Sequence, residues 1–156
     1  ALELLQEVPD LDALVVCLGG GGLLSGCATV AKALNPAIRV FGVEPEIAND
    51  WALSMAAGEI VEIPPPATIA DGLRSPKPGK LTFSIVSKLV EKVLLVSEDE
   101  IRSAMKFLLM RTKMLTEPSG AVAAAAVLSG KLPAGLQKVG IILSGGNVDW
   151  DVLISA

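Results

Sequence analysis

Short apolar runs alternate along the chain with longer stretches in which apolar residues recur at helical spacing, the pattern of an α/β fold with a parallel sheet flanked by helices. Ala13–Leu18 (ALVVCL) is apolar throughout and stops at glycines, as a strand covered on both faces should. Leu23–Leu34, rich in small residues and closed by Asn35-Pro36, predicts a helix. Ile38–Val43 reads as the second strand, Ala48–Ala57 as a short helix ending at Gly58, and Glu59–Ile63 as a further short strand. Pro64-Pro65-Pro66 cannot sit in a central strand. Thr68–Gly79 is then a loop long enough to point to function. Leu81–Val90 predicts a helix and Val93–Val96 a strand. Ser97-Glu98-Asp99-Glu100 is a capping box opening a helix from Glu98 to Leu115, with acids crowding its positive end. Ala121–Leu128 predicts an Ala-rich helix closed near Gly130, and Val139–Leu143 a last strand ending at Ser144-Gly145-Gly146-Asn147. No repeat or linker interrupts this order, so residues 1–156 are expected to form one domain. Ala1–Val8 has the pattern of the middle of a helix, with neither an initiator Met nor a cap before it, so the chain is expected to be a piece of something longer.

Composition narrows the class. Of 156 residues, 51% are hydrophobic and 19% charged, which excludes a disordered or fibrous chain. No apolar run reaches the length of about 18 that a membrane span needs. Thirteen basic residues against 17 acidic ones give a net charge of −4, the wrong sign for a nucleic-acid surface. The absence of His removes Ser-His-Asp and Cys-His catalysis and any His-ligated metal. Two cysteines, Cys17 and Cys27, read as buried thiols of a cytoplasmic protein, since zinc would need more ligands than the chain offers.

The candidate chemistry lies where strands end. Gly19, Gly20, Gly21 and Gly22 come directly after a buried strand and directly before a helix. Four glycines there let successive N–H groups point at one anion beside the positive helix end, so a phosphate is the natural ligand. A tight turn without a ligand would need only one or two of them. A dinucleotide fingerprint would want Gly at i, i+2 and i+5; Gly20-x-Gly22-x-x-Ser25 misses the third, although Glu44 ends the next strand. Ser144 follows another strand and should face the same crevice, where its hydroxyl could meet a ring atom of the ligand or be incidental to a Gly turn. Glu117, before Pro118 at a helix start, serves capping or function equally well. Glu44, Glu46 and Asp50 lie within seven residues after a strand, a spacing that suits either solvation or a hard divalent cation such as Mg²⁺.

Together these segments resemble the fold type II pyridoxal-phosphate (PLP) enzymes, in the serine/threonine dehydratase and serine racemase branch. The stretches that carry the resemblance are Leu18-Gly19-Gly20-Gly21-Gly22-Leu23, Gly42-Val43-Glu44-Pro45, Thr68-Ile69-Ala70-Asp71-Gly72, Thr116-Glu117-Pro118-Ser119-Gly120-Ala121 and Leu143-Ser144-Gly145-Gly146-Asn147. They occur in the family's order and cover almost the whole chain. The resemblance implies the large-domain part of the tryptophan synthase β-like fold, lacking its N-terminal elements. It implies that Gly19 to Gly22 hold the PLP phosphate, that Ser144 bonds the pyridine nitrogen, that Glu117 lies near the same ring edge and that Gly72 approaches the cofactor. It further implies a divalent cation held by Glu44, the backbone carbonyl of Ala48, and Asp50, bracing the loop rather than doing chemistry. Lys113 and Asn147 match positions near a nucleotide site of the racemases. A neutral hydroxyl at Ser144 leaves the ring a weak electron sink, which suits β-elimination from a hydroxy amino acid to a 2-oxo acid and ammonia.

One departure limits what the chain can do. The family joins PLP to a lysine in a Ser-x-Lys segment upstream of the glycine loop, whereas here 18 residues precede Gly19 and none is Lys. No Schiff-base lysine, and hence no catalytic residue, is expected in this chain. The expected function is thus the C-terminal portion of a PLP-dependent L-threonine/L-serine dehydratase, working as a homo-oligomer or with its missing N-terminal half. A serine racemase of the same family and a catalytically silent PLP- or phosphate-binding module are the other readings.

Overall fold

The computed structural model describes residues 1–154. Four strands, β1 (Ala13–Cys17), β2 (Arg39–Pro45), β3 (Lys92–Val96) and β4 (Val139–Ile141), form one parallel sheet in the order β3-β2-β1-β4. Val15 stands opposite both Phe41 on β2 and Ile141 on β4. All five residues of β1 are buried, which is why its run is apolar without alternation.

Helices cover both faces: α1 (Leu2–Glu7), α2 (Gly22–Leu34), α3 (Asp50–Ala57), α4 (Lys80–Leu89), α5 (Glu98–Phe107), α6 (Pro118–Leu128) and α7 (Trp150–Ile154). Alternate strand residues feed two cores. Val15, Cys17, Phe41 and Val43 pack with Ile101 and Met105 of α5 and Ala121 to Ala126 of α6. Leu14, Val16 and Val40 pack with Leu5 of α1, Leu24 and Ala28 of α2 and Val86 of α4. Pro118 through Ala126 are all buried; only small side chains let α6 lie this deep. The capping box of α5 forms as expected, with the Glu100 amide donating to Ser97 Oγ at 3.2 Å and the Ser97 amide to Glu100 Oε2 at 2.7 Å. Among the described residues no helix is long and apolar enough to cross a membrane.

Three expectations are corrected. Glu59–Ile63 is not a strand. The Val61 amide donates to Ser54 Oγ (2.9 Å) and the Ile63 amide to the Pro76 carbonyl (2.9 Å), so the segment's donors go to α3 and a loop rather than to a ladder. The helix that begins at Glu98 does not run to Leu115. It ends as α-helix at Phe107, widens into a π turn over Leu108–Thr112, and stops at Lys113, a left-handed residue with φ 61°. The Thr112 hydroxyl and the Met114 amide both donate to the Leu108 carbonyl, which closes the helix early. The last strand is shorter than Val139–Leu143, although the Ile142 amide still reaches the Val15 carbonyl at 3.0 Å. The short helix α7 (Trp150–Ile154) was not expected, and elsewhere the differences are one to three residues at element ends. Pro118 takes the first position of α6 with Glu117 before it, as expected.

Candidate functional site

A parallel sheet delivers all its carboxyl ends to one edge, and β1 and β4 are neighbours there. The loop after β1 and the turn after β4 therefore meet. Cys17, the last residue of β1, sits with its Sγ 3.2 Å from Ser144 Oγ. The glycine loop itself is held from outside. The Trp51 indole donates to the Gly19 carbonyl at 2.5 Å and the Thr82 hydroxyl to the Gly20 carbonyl at 2.8 Å. Phe83 supports Trp51, with ring centroids 6.0 Å apart. Two of the loop's carbonyls are occupied in this way, and the loop leads directly into the positive end of the 13-residue α2. Gly21 caps α2 in the left-handed region (φ +88°), and a Cβ there would run into the Trp51 ring and lie 2.8 Å from Thr82 Cβ. A Cβ at Gly20 or Gly22 would meet no atom within 4 Å, so those positions face open space.

The remaining parts close in around this loop. A Cβ on Gly19 would lie 3.0 Å from the Gly72 carbonyl, so the 3₁₀ turn Asp71–Leu73 abuts the glycine loop. That turn is pinned by the Gly72 amide donating to Ser119 Oγ at 3.0 Å. Glu117 does not cap its own helix. Its amide donates to the Gly145 carbonyl (3.1 Å), and its carboxylate accepts from the Asn147 amide (3.1 Å). A Cβ on Gly145 would overlap that carboxylate, and one on Gly120 would lie 2.6 Å from the Gly145 carbonyl. The start of α6 and the turn that carries Ser144 are thus packed backbone to backbone. A cleft of about 370 Å³ lined by Asp71, Arg74, Pro118, Asn147 and Asp149 adjoins them. The structure brings Gly19, Gly20, Gly21, Gly22, Gly72, Glu117 and Ser144 to one place.

The acids after β2 form a separate group. Glu44 is fully buried and accepts from the Ala52 amide (2.8 Å) and the Trp51 amide (3.3 Å), so it caps α3 with its side chain. Asp50 is also buried, and its Oδ2 has no hydrogen-bond partner. Burial, and then the charge of Asp50, push Glu44 up to about 8; burial pushes Asp50 up to about 7. Among the described residues no three His, Cys, Asp or Glu side chains cluster as a metal site, because Glu46 is exposed and salt-bridged to Lys131. Two buried carboxylates remain, and Ala48, which lies between them in sequence, is buried as well. The orphaned Asp50 oxygen fits a cation held by these two and a backbone carbonyl.

Lys113 is exposed and its ammonium donates to the Met110 carbonyl of its own turn. Cys27 is a buried free thiol in the α2 core, as expected. Sequence reasoning missed Trp51, Thr82, Ser119 and the polar role of Cys17. Each reaches the site from 32 or more residues away in the chain, and no local pattern announces such a contact.

The fold is thus a parallel α/β sheet whose candidate site gathers at the carboxyl ends of β1 and β4. Residues 1–145 match the family described as "Pyridoxal-phosphate dependent enzyme", and the chain belongs to that family. It is 50% identical over 149 residues to the L-threo-3-hydroxyaspartate ammonia-lyase of Saccharomyces cerevisiae, covering 96% of this chain and 46% of that protein. It is 47% identical over 150 residues to the catabolic L-threonine dehydratase of Escherichia coli, covering 95% and 46%. The structure of maize serine racemase superposes with a TM-score of 0.92 at 46% identity, covering 99% of this chain and 48% of that one. The chain spans about half the length of the relatives it matches.

Proposed function

We propose that this chain is the part of a PLP-dependent hydroxy-amino-acid ammonia-lyase that holds the cofactor's phosphate and meets its ring nitrogen. The observation that carries the reading is the meeting of Gly19–Gly22 and Ser144 at the carboxyl edge of β1 and β4. The loop amides bind and orient the phosphate, and α2 adds its positive end. The Ser144 hydroxyl holds a proton at the ring nitrogen without supplying a negative charge. Glu117 fixes the Ser144 turn, and Gly72 lets the Asp71–Leu73 turn come close to the loop. Bound PLP supplies the electron sink that lets a β-hydroxyl leave. Glu44, Asp50 and the Ala48 carbonyl would hold a divalent cation. Because Glu44 also anchors the amide of Trp51, whose indole grips Gly19, the cation would stiffen the loop from behind.

All nine lysines follow the glycine loop, so none stands upstream of it, where the resemblance places the Schiff-base lysine. The expected result of titrating the purified chain with PLP is therefore saturable binding by absorbance with no mass increase after borohydride reduction. A reduced adduct on one lysine would overturn the assignment of an absent nucleophile, and no binding at all would refute the phosphate-cradle reading.

The chain is also expected to associate. β3 and β4 lie at the two edges of the sheet, and Leu81, Met110 and Trp150 are 74%, 60% and 69% exposed. Light scattering at low micromolar concentration should give a mass above that of one chain, and a clean monomer would count against it.

A further inference from the structure

We infer that Cys17 is a positioning residue for Ser144: its thiol donates to Ser144 Oγ, leaving the serine's own proton for the ring nitrogen of PLP. This rests on the cofactor reading above and names how that hydroxyl is aimed. A serine hydroxyl has one proton and two lone pairs, and on a glycine-flanked turn it can rotate freely. Ser144 is exposed and its turn is clamped through Glu117 and Gly120, contacts that fix the backbone but not the hydroxyl rotor. The thiol is what reaches the rotor. Cys17 and Ser144 are 127 residues apart in sequence, yet Sγ and Oγ lie 3.2 Å from each other, a short distance for a bond involving sulfur.

The surroundings decide which atom donates. Cys17 is 6% exposed and sits in the apolar cluster with Val15, Val43, Ala121 and Val122, so Ser144 is its side-chain hydrogen-bond partner there. Burial raises the thiol above its ordinary range, and Cys27 and Glu117, the other charged or titratable groups that bear on it, push the same way. The sulfur therefore keeps its proton and can donate it to Ser144 Oγ. Occupying one lone pair in this way leaves the serine O–H directed away from the strand end, toward the crevice. The ring nitrogen then accepts a hydrogen bond from a neutral donor and stays unprotonated.

The test has one readout without cofactor and one with it. In a Cys27→Ala background, the Cys17 thiol is titrated by the ultraviolet absorbance of its thiolate, with and without Ser144→Ala. The thiol donates to Ser144 Oγ, but once ionised the sulfur can only accept and the hydroxyl turns to donate to it; the bond to the charged form is the stronger, so removing Ser144 should shift the thiol further upward. An unchanged titration would mean that no hydrogen bond joins the two, and would overturn the proposal. PLP carrying a heavy isotope at its ring nitrogen is then bound to the parent chain, Cys17→Ala and Cys17→Ser. The nitrogen resonance should move in Cys17→Ala and return toward the parent in Cys17→Ser, whose hydroxyl can also donate. Cys17→Ala that binds PLP with the parent's nitrogen signal overturns the positioning role while leaving the cofactor site standing. A parent chain that takes up no PLP overturns the cofactor site, and the positioning role falls with it even if the thiol titration shifts.

Discussion

Gly21→Ala should be the most damaging single substitution in the glycine loop. The backbone at Gly21 is left-handed, which costs an alanine about 1–2 kcal/mol. The new methyl would overlap the Trp51 ring and sit 2.8 Å from Thr82 Cβ, and overpacking of that kind costs about 1–3 kcal/mol more. Trp51 cannot retreat easily, since its indole is bonded to Gly19 and its ring is buried beside Phe83. Against a typical domain stability of about 5–15 kcal/mol, a loss of about 2–5 kcal/mol should be plain in urea or thermal melts. Gly20→Ala gives the contrast. Its methyl would meet no protein atom within 4 Å, so stability should hold while PLP affinity drops, because the open side of the loop is where a phosphate would lie. A Gly21→Ala protein as stable as its parent would refute the left-handed cap. A Gly20→Ala protein with undiminished PLP affinity would refute the phosphate position.

The second large effect concerns pH. Glu44 titrates at about 8 and Asp50 at about 7, against ordinary values of 4.5 and 3.8. Between the ordinary and the raised values the folded chain holds protons that the unfolded chain has lost, so stability falls as pH rises. The contribution is complete below about pH 4, is lost through about pH 7 and 8, and does not fall further above that. For the pair it is on the order of several kcal/mol. In chelator, the melting temperature should therefore drop from about pH 5 to about pH 8. Asp50→Asn should lessen that drop without removing it, since the burial that raises Glu44 remains. A divalent cation binds the ionised carboxylates, so added Mg²⁺ should stabilise at the upper end of the range and do little at the lower. A melting temperature that stays flat in chelator would refute the buried-acid pair. A pH dependence that Mg²⁺ leaves untouched would refute the cation site.

The order of strands and helices was legible because each element carries its own periodicity. β1 is five buried residues in a row, and α5 opens on a side-chain cap that local sequence spells out. Segments whose backbone is decided by distant partners were not legible. Glu59–Ile63 has strand-like composition but gives its amides to Ser54 and Pro76. The helix after Phe107 has helical composition but unwinds at Thr112 and Lys113, delivering Leu115 to within 2.8 Å of where a Gly146 Cβ would be.

The site divides in the same way. Four consecutive glycines between an apolar run and a helix already implied an anion cradle, because few other backbones demand that freedom at that spot. Glu44 and Asp50 were visible only as two of three acids after β2, and their burial and the Glu44 bonds to the Trp51 and Ala52 amides were not visible at all. The Ser144 turn could be placed near the loop from the rule that ligands gather at strand ends. Only the packing of β1 beside β4 put Cys17 against Ser144, and only the fold of α3 and α4 put Trp51 and Thr82 behind the loop. The sequence by itself determined which backbone could bend to hold a phosphate, since conformational freedom is a property of single residues. The tertiary structure decided which side chains hold that backbone in place, since a contact across 32 to 127 residues depends on the path of the whole chain.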